Sequence, residues 1–186
     1  MKKFLIYAGF LALLKMFSGA LLAYPVTSEP PFPTVNDSLV VYFDATEGNQ
    51  GLKDFAGPVY AHTGVLTSES ATTSQWKYVK TGWGEDTPET KLDYVSPNLW
   101  KLTIGRPREY YVIPDSVTVT HIAFVFRSSQ QPGGSYKEGK DVDNKDIFLP
   151  LYEAGITARF VTPSINLSFN DPRREPLFKT DEDTVH

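Results

Sequence analysis

The chain contains no cysteine and only three histidines in 186 residues. The first absence removes disulfides, metal–thiolate sites and thiol nucleophiles together, along with the thiol that lipoprotein anchoring requires. The second leaves His62, His121 and His186, with no Ser-His-Asp constellation to be assembled from them. Basic residues are also short, 18 against 22 acids for a net charge of −4. A polyanion ligand needs a basic stripe to release counterions, and the only local cluster, Arg173-Arg174, sits beside Glu175. Nucleic acid is therefore excluded as a partner. No uninterrupted apolar run reaches the ~20 residues a membrane-spanning helix needs, because Lys15 breaks the one long apolar stretch.

That stretch has the composition of an export signal. Lys2 and Lys3 form a basic start, residues 4–14 an apolar core, and Ser18-Gly19-Ala20 or Ala23 small residues at a cleavage point. Residues 1–23 are thus expected to be a signal peptide, and the mature product secreted, periplasmic or on the cell surface, with no membrane segment left after cleavage. Cleavage after residue 20 removes Lys2, Lys3 and Lys15 and no acid. The 18 bases fall to 15 against 22 acids, a net charge of −7. Without covalent staples the fold must rest on an apolar core, which 41% hydrophobic residues can supply.

Proline divides the rest of the chain. Residues 24–36 carry Pro25, Pro30, Pro31 and Pro33 and read as an extended linker. From residue 37 short β-rich runs alternate with turn residues, at 39–45, 59–66, 76–79, 91–95, 99–104, 117–126 and 147–151. Seven such runs without a 3.6-residue periodicity predict an all-β, immunoglobulin-like antiparallel sandwich over 37–152. Alternation assigns faces: Trp100, Leu102 and Ile104 point to the core, as do Leu39, Val41 and Phe43. Ile122, Phe124 and Phe126 line one face of their strand, while Val119, Ala123 and Val125 line the other. That strand is expected to be central and covered on both sides. Residues 153–186 form a short C-terminal extension with runs at 156–161 and 165–169. They either dock on the sandwich or open a second domain, and their length, far below the ~100 residues of an immunoglobulin-like module, favours the second.

These runs carry ordered blocks: Gly48-Asn49-Gln50-Gly51-Leu52, Val59-Tyr60-Ala61-His62-Thr63-Gly64-Val65, Trp76-Lys77-Tyr78-Val79 with Trp83-Gly84, Arg108-Glu109-Tyr110-Tyr111, His121-Ile122-Ala123-Phe124-Val125-Phe126-Arg127 and Asp146-Ile147-Phe148. Over residues 37–152 the chain resembles the N-terminal immunoglobulin-like module of secreted multidomain alpha-amylase-type glycoside hydrolases. The resemblance implies a second sandwich and a (β/α)8 catalytic barrel downstream, and an accessory role for this portion. Since the sequence given stops at His186, the catalytic machinery is expected to lie outside it.

The residues agree with a non-catalytic reading. A retaining glycosidase holds two carboxyl groups about 5 Å apart across the scissile bond, on the strand ends of a barrel far longer than this chain. Glu85, Asp86 and Glu109 are available acids but read as solvated loop charge. His62 and His121 read as hydrogen-bonded residues of the sandwich rather than bases or ligands. The loop Asp141-Val142-Asp143-Asn144-Lys145-Asp146 gathers hard oxygen donors, yet Lys145 takes the fifth position of a calcium loop, and the glycine and distal glutamate are missing. No metal site and no cofactor are assigned. Gln131-Pro132-Gly133-Gly134-Ser135 reads as a hairpin tip, not a phosphate loop.

What remains is aromatic. Flat rings offer sugar C–H faces a desolvated platform, and flanking amides and carboxylates fix the hydroxyls. Trp83, between two glycines in a polar loop, is the first candidate for carbohydrate contact; Trp76 and Tyr78, on one face of a short run, could flank it. The function expected is that of a secreted accessory module binding a starch-like α-glucan. A structural spacer or protein-contact domain is the alternative, and an enzyme in its own right ranks third. On export, mass spectrometry of the mature protein is expected to find a new N-terminus between residues 21 and 24; an intact Met1 would overturn the signal reading.

Overall fold

The computed structural model describes residues 24–153. The proposed signal at 1–23 and the extension from residue 154 lie outside the described residues. Within them the fold is an all-β sandwich of two antiparallel sheets, with β1 Val26–Glu29, β2 Leu39–Asp44, β3 Val59–Thr67, β4 Asp93–Ser96, β5 Leu99–Gly105, β6 Val119–Ser128, β7 Glu138–Gly139 and β8 Ile147–Pro150. One sheet runs in the order β1-β2-β5-β4. In the other, β3 pairs with β6, and the far edge of β6 is shared between β7 and β8. A single helical turn, α1 Pro107–Tyr110, carries the chain from β5 towards β6.

Side-chain alternation builds the core. Val41 and Phe43 of β2 lie opposite Leu102 and Trp100 of β5, and these four are buried together with Leu39, which pairs with Gly105. From the facing sheet come Val59, Ala61 and Val65 of β3, Ile122, Phe124 and Phe126 of β6, and Ile147 and Leu149 of β8. Phe43 bridges the two layers, its ring stacked on Phe126 at 4.2 Å between centroids and on Trp100 at 6.1 Å. Stacked and edge-on aromatics add roughly 0.5–1.5 kcal/mol per pair beyond area burial.

A pair of hydroxyl groups sits inside this core. Thr63 is fully buried, and its Oγ1 donates to the Ala123 carbonyl at 2.8 Å. With that proton committed, the 2.6 Å contact between Thr63 Oγ1 and the Tyr111 hydroxyl must have Tyr111 as donor. Burial pushes the Tyr111 hydroxyl well above its ordinary pKa, so it keeps the proton it donates. The pair ties the segment after α1 to β3 and leaves neither oxygen unsatisfied.

Two features differ from the sequence expectation. Residues 24–36 are not a free linker: Val26–Glu29 is an edge strand on β2, with Val26 opposite Phe43 and 4% exposed. Val26 and Thr27 are good strand formers, and an edge position tolerates the prolines on either side. Downstream, the Tyr152 amide donates to the Pro33 carbonyl at 2.8 Å, and Phe32 packs edge-on against Tyr152 at 5.5 Å. The expected run at 76–79 is not a regular strand either. It makes one bridge, Lys77 to Val65, and then leaves the β region at Tyr78, where φ is 49°.

Integration of β1 sets a measurable cost. Val26→Ala is expected to lower stability by about 1–2 kcal/mol, the scale of a buried aliphatic side chain lost from a sheet edge. A chain starting at Asp37 should lose more. An unchanged denaturation midpoint for both would restore the linker reading.

Candidate functional site

The outer face of the β3–β6 sheet is covered, and the cover creates the site. Between β3 and β4 the chain turns back along the free edge of β3: Val65 and Lys77 exchange both main-chain hydrogen bonds at 2.9 and 2.8 Å, and the amides of Lys80 and Leu92 donate to the carbonyls of Thr63 and Val59. The unpaired row of an edge strand is thereby satisfied. On the strands beneath, Tyr60 lies opposite Arg127, His62 opposite Val125, and Gly64 opposite Ala123. These residues point away from the core, yet Ala123, Val125 and Arg127 are buried.

Arg127 organises the face. It is 0% exposed at the end of the run Phe124-Val125-Phe126, where an unpaired guanidinium would be very costly. Its Nη1 donates to Asp86 Oδ1 at 2.6 Å and to the Ser128 carbonyl at 3.0 Å, and Nη2 donates to the Glu85 carbonyl at 2.5 Å. The rings of Tyr60 and Tyr136 lie 5.4 and 5.5 Å from the guanidinium carbon, within cation–π range. Asp86 is thus the counter-ion of a buried charge and not a freely solvated acid, which corrects the sequence reading. Glu85 Oε2 accepts from the Gly82 amide at 2.8 Å and closes the turn that presents Trp83. Gly84 is required there: its φ is +85°, and an added Cβ would stand 2.4 Å from the Tyr136 hydroxyl.

Trp83 is 47% exposed and packs edge-on against both His62, at 5.2 Å, and Tyr136, at 5.7 Å. His62 also stacks with Trp76, at 5.5 Å and 25° between planes. Trp76 is half-buried, its Nε1 donating to the Thr73 carbonyl at 3.0 Å. Tyr78 is 36% exposed but stands apart, beside Thr67, Glu69 and Val117. The structure therefore brings Trp83 and Trp76 together on one histidine and separates Tyr78 from them, because the left-handed turn at Tyr78 breaks the strand that would have aligned it with Trp76.

His62 Nδ1 and His121 Nδ1 are buried without a hydrogen-bond partner among the described residues, so the expectation that both are hydrogen-bonded fails at that atom. Burial lowers the pKa of both below 6.5; for His62 the Arg127 charge adds to this, while Asp146 and the Thr81 main chain act in the opposite direction. His62 serves as a neutral ring in contact with both indoles. Trp100 is 3% exposed, on the core face that its alternation predicts.

The other acids singled out from the sequence, Glu109 and those of the 141–146 loop, are held by neighbours. Glu109 pairs with Arg106 at 3.0 Å on the surface. In the 141–146 loop Asp141 Oδ1 accepts from the Val142 amide, Asp143 and Asp146 face Lys145 and Lys140, and Asn144 Oδ1 accepts from Asn49. Among the described residues no three acids or histidines gather into a metal-holding group, and no helix is long and apolar enough to cross a membrane. Tyr60, Tyr136, His62 and Arg127 were not singled out from sequence as a site. The available signal is an arginine directly following the apolar run Phe124-Val125-Phe126, which demands a partner.

No family model matches the chain, and no curated protein matches it in sequence.

Asp86→Ala leaves the guanidinium without its counter-ion. Because Asp86 retains 32% side-chain exposure, water can replace part of the contact, and the expected loss is about 2–3 kcal/mol in denaturant unfolding rather than the full 3–5 of a sealed pair. A change within about 0.5 kcal/mol would show that Arg127 does not need it. The histidines predict a pH dependence. With folded pKa values below 6.5, the unfolded chain binds more protons, so their contribution is whole above about pH 6.5 and declines as the pH falls below it. In wild type the unfolding midpoint should drop from pH 7 towards 5, and His62→Gln should flatten that slope. An equal slope in the variant would remove His62 from the account.

Proposed function

We propose that this chain is an exported, non-catalytic accessory module of the alpha-amylase type, with an immunoglobulin-like sandwich that binds an α-linked glucan on the Trp83–Trp76 face. The observation that carries the proposal is the inclination of the two indoles. Their planes stand 80° and 25° from the shared His62 ring, so they are inclined to one another by no less than the 55° difference. Two platforms set at such an angle suit a curved chain of sugars, whereas a flat ribbon would lie on only one of them. The charge beneath is already neutralised by Asp86, which suits an uncharged ligand.

The engagement of Asp86 with Arg127, and of Glu109 with Arg106, supports the non-catalytic part of the reading, since each of these acids is held by a guanidinium. The spacer reading draws on one observation: Trp76 is half-buried with its indole N–H bonded internally, as a covering residue would be. Trp83, nearly half exposed, has no such constraint in its favour.

Affinity electrophoresis in soluble starch separates the two. Trp83→Ala is expected to weaken binding by roughly 1–3 kcal/mol, the scale of a lost aromatic contact, with little change in thermal midpoint. Trp100→Ala, a core cavity, should instead cost about 3–5 kcal/mol of stability. Reducing-end assays on the same samples should show no glucan cleavage. Wild-type protein that migrates unretarded in every α-glucan would leave the spacer function.

A further inference from the structure

A second aromatic cleft lies where the loop before β3 meets β4. It encloses about 610 Å³ and is lined by Phe55, Pro58, Lys91, Asp93, Tyr94 and Trp100. None of these residues contributes to the Trp83 face. Tyr94 is 65% exposed, the most exposed aromatic side chain among the described residues, and it meets the buried Trp100 edge-on at 6.4 Å. An exposed tyrosine braced by a core tryptophan is held in one orientation at low entropic cost.

The opposite wall is equally fixed. The Asp54 amide donates to Asn98 Oδ1 at 2.5 Å, and Asn98 Nδ2 returns a hydrogen bond to Asp54 Oδ1 at 3.0 Å. This reciprocal pair clips the loop carrying Phe55 to the β4–β5 turn. The Phe55 ring then lies over Gly57, where a Cβ would stand 2.4 Å from its Cζ, so only glycine admits the ring in that position. Of the lining residues, Lys91 and Asp93 stand exposed at the rim, one cation and one anion, so the lining itself carries no net charge.

We infer that this cleft is a second carbohydrate subsite, taking a short stretch of neutral glucan through stacking on Tyr94 and hydrogen bonding to Lys91 and Asp93. Pre-set rings provide the C–H platform, and a donor and an acceptor at the rim match the hydroxyls of an uncharged polyol. A charged ligand would gain from one rim group and be repelled by the other. The choice of glucan rests on the reading of the Trp83 face, whereas the cleft itself is independent of that face, so the module would engage a long chain at two points and gain avidity from their linkage.

The test is a titration of the isotopically labelled full chain with maltoheptaose, following backbone amides by NMR. Amides of residues 55–57 and 91–94 are expected to shift with a saturation curve of their own, and Tyr94→Ala should abolish those shifts while leaving those around Trp83. Shifts around Trp83 alone, unchanged by Tyr94→Ala, would overturn the second subsite and leave the first reading standing. Shifts in the cleft without any at Trp83 would establish the cleft and remove the Trp83 face as a glucan site. Silence in both overturns both.

Discussion

A buried guanidinium dictates the architecture of the outer face. Desolvating a charge of this size costs several kcal/mol even after relaxation, so Arg127 can remain fully buried only if its surroundings converge on it. They do so from three parts of the chain: the Tyr60 ring from β3, the Tyr136 ring from the segment before β7, and Asp86 with the Glu85 carbonyl from the long β3–β4 connection. Each contact also fixes something else. Asp86 and Glu85 hold the turn at residues 82–86, that turn holds Trp83, and Tyr136 packs against both Gly84 and Trp83. Arg127 is therefore a positioning residue for the exposed indole, which it does not itself touch.

The same connection explains how a sandwich sheet can be buried on both faces without a third regular layer. The β3–β4 segment has almost no repetitive structure, yet its main chain pairs with the free edge of β3 at Lys77, Lys80 and Leu92. Edge protection and face covering are thus performed by one irregular segment, and its aromatic residues end up on the outside. A loop pinned at several points and carrying exposed rings suits recognition better than a mobile one, because less ordering entropy is lost on binding.

How much of this was legible follows from what each signal measures. Period-two alternation reports burial on a regular strand, and it located Leu39, Val41, Phe43, Trp100, Leu102 and Ile104 in the core and β6 as a strand apolar on both sides. It fails wherever the backbone departs from the β region, as at Tyr78, or wherever strand pairing outweighs a composition rich in proline, as at Val26. Trp83 and Trp76 were visible as candidates from their residue types and neighbours. Their meeting on His62, the role of Tyr136 and the Tyr94 cleft depend on contacts between segments distant in sequence, which no local pattern encodes. Asp86 was read as solvent charge because its partner lies in a strand that reads as apolar, and only the register of β6 brings them together.

The central claim is that the outer aromatic face, held by Arg127, is a glucan platform while the inner aromatics are core. The chain has three tryptophans, hence three indole N–H resonances, and they occupy three distinct settings: Trp83 exposed, Trp76 half-buried on His62, and Trp100 buried between sheets. Titration with maltoheptaose should move the Trp83 indole resonance in a saturable way and move Trp76 less, while Trp100, which backs the Tyr94 cleft, should move only with the separate saturation curve of that cleft. An unmoved Trp83 resonance in the presence of saturating oligosaccharide would contradict the account.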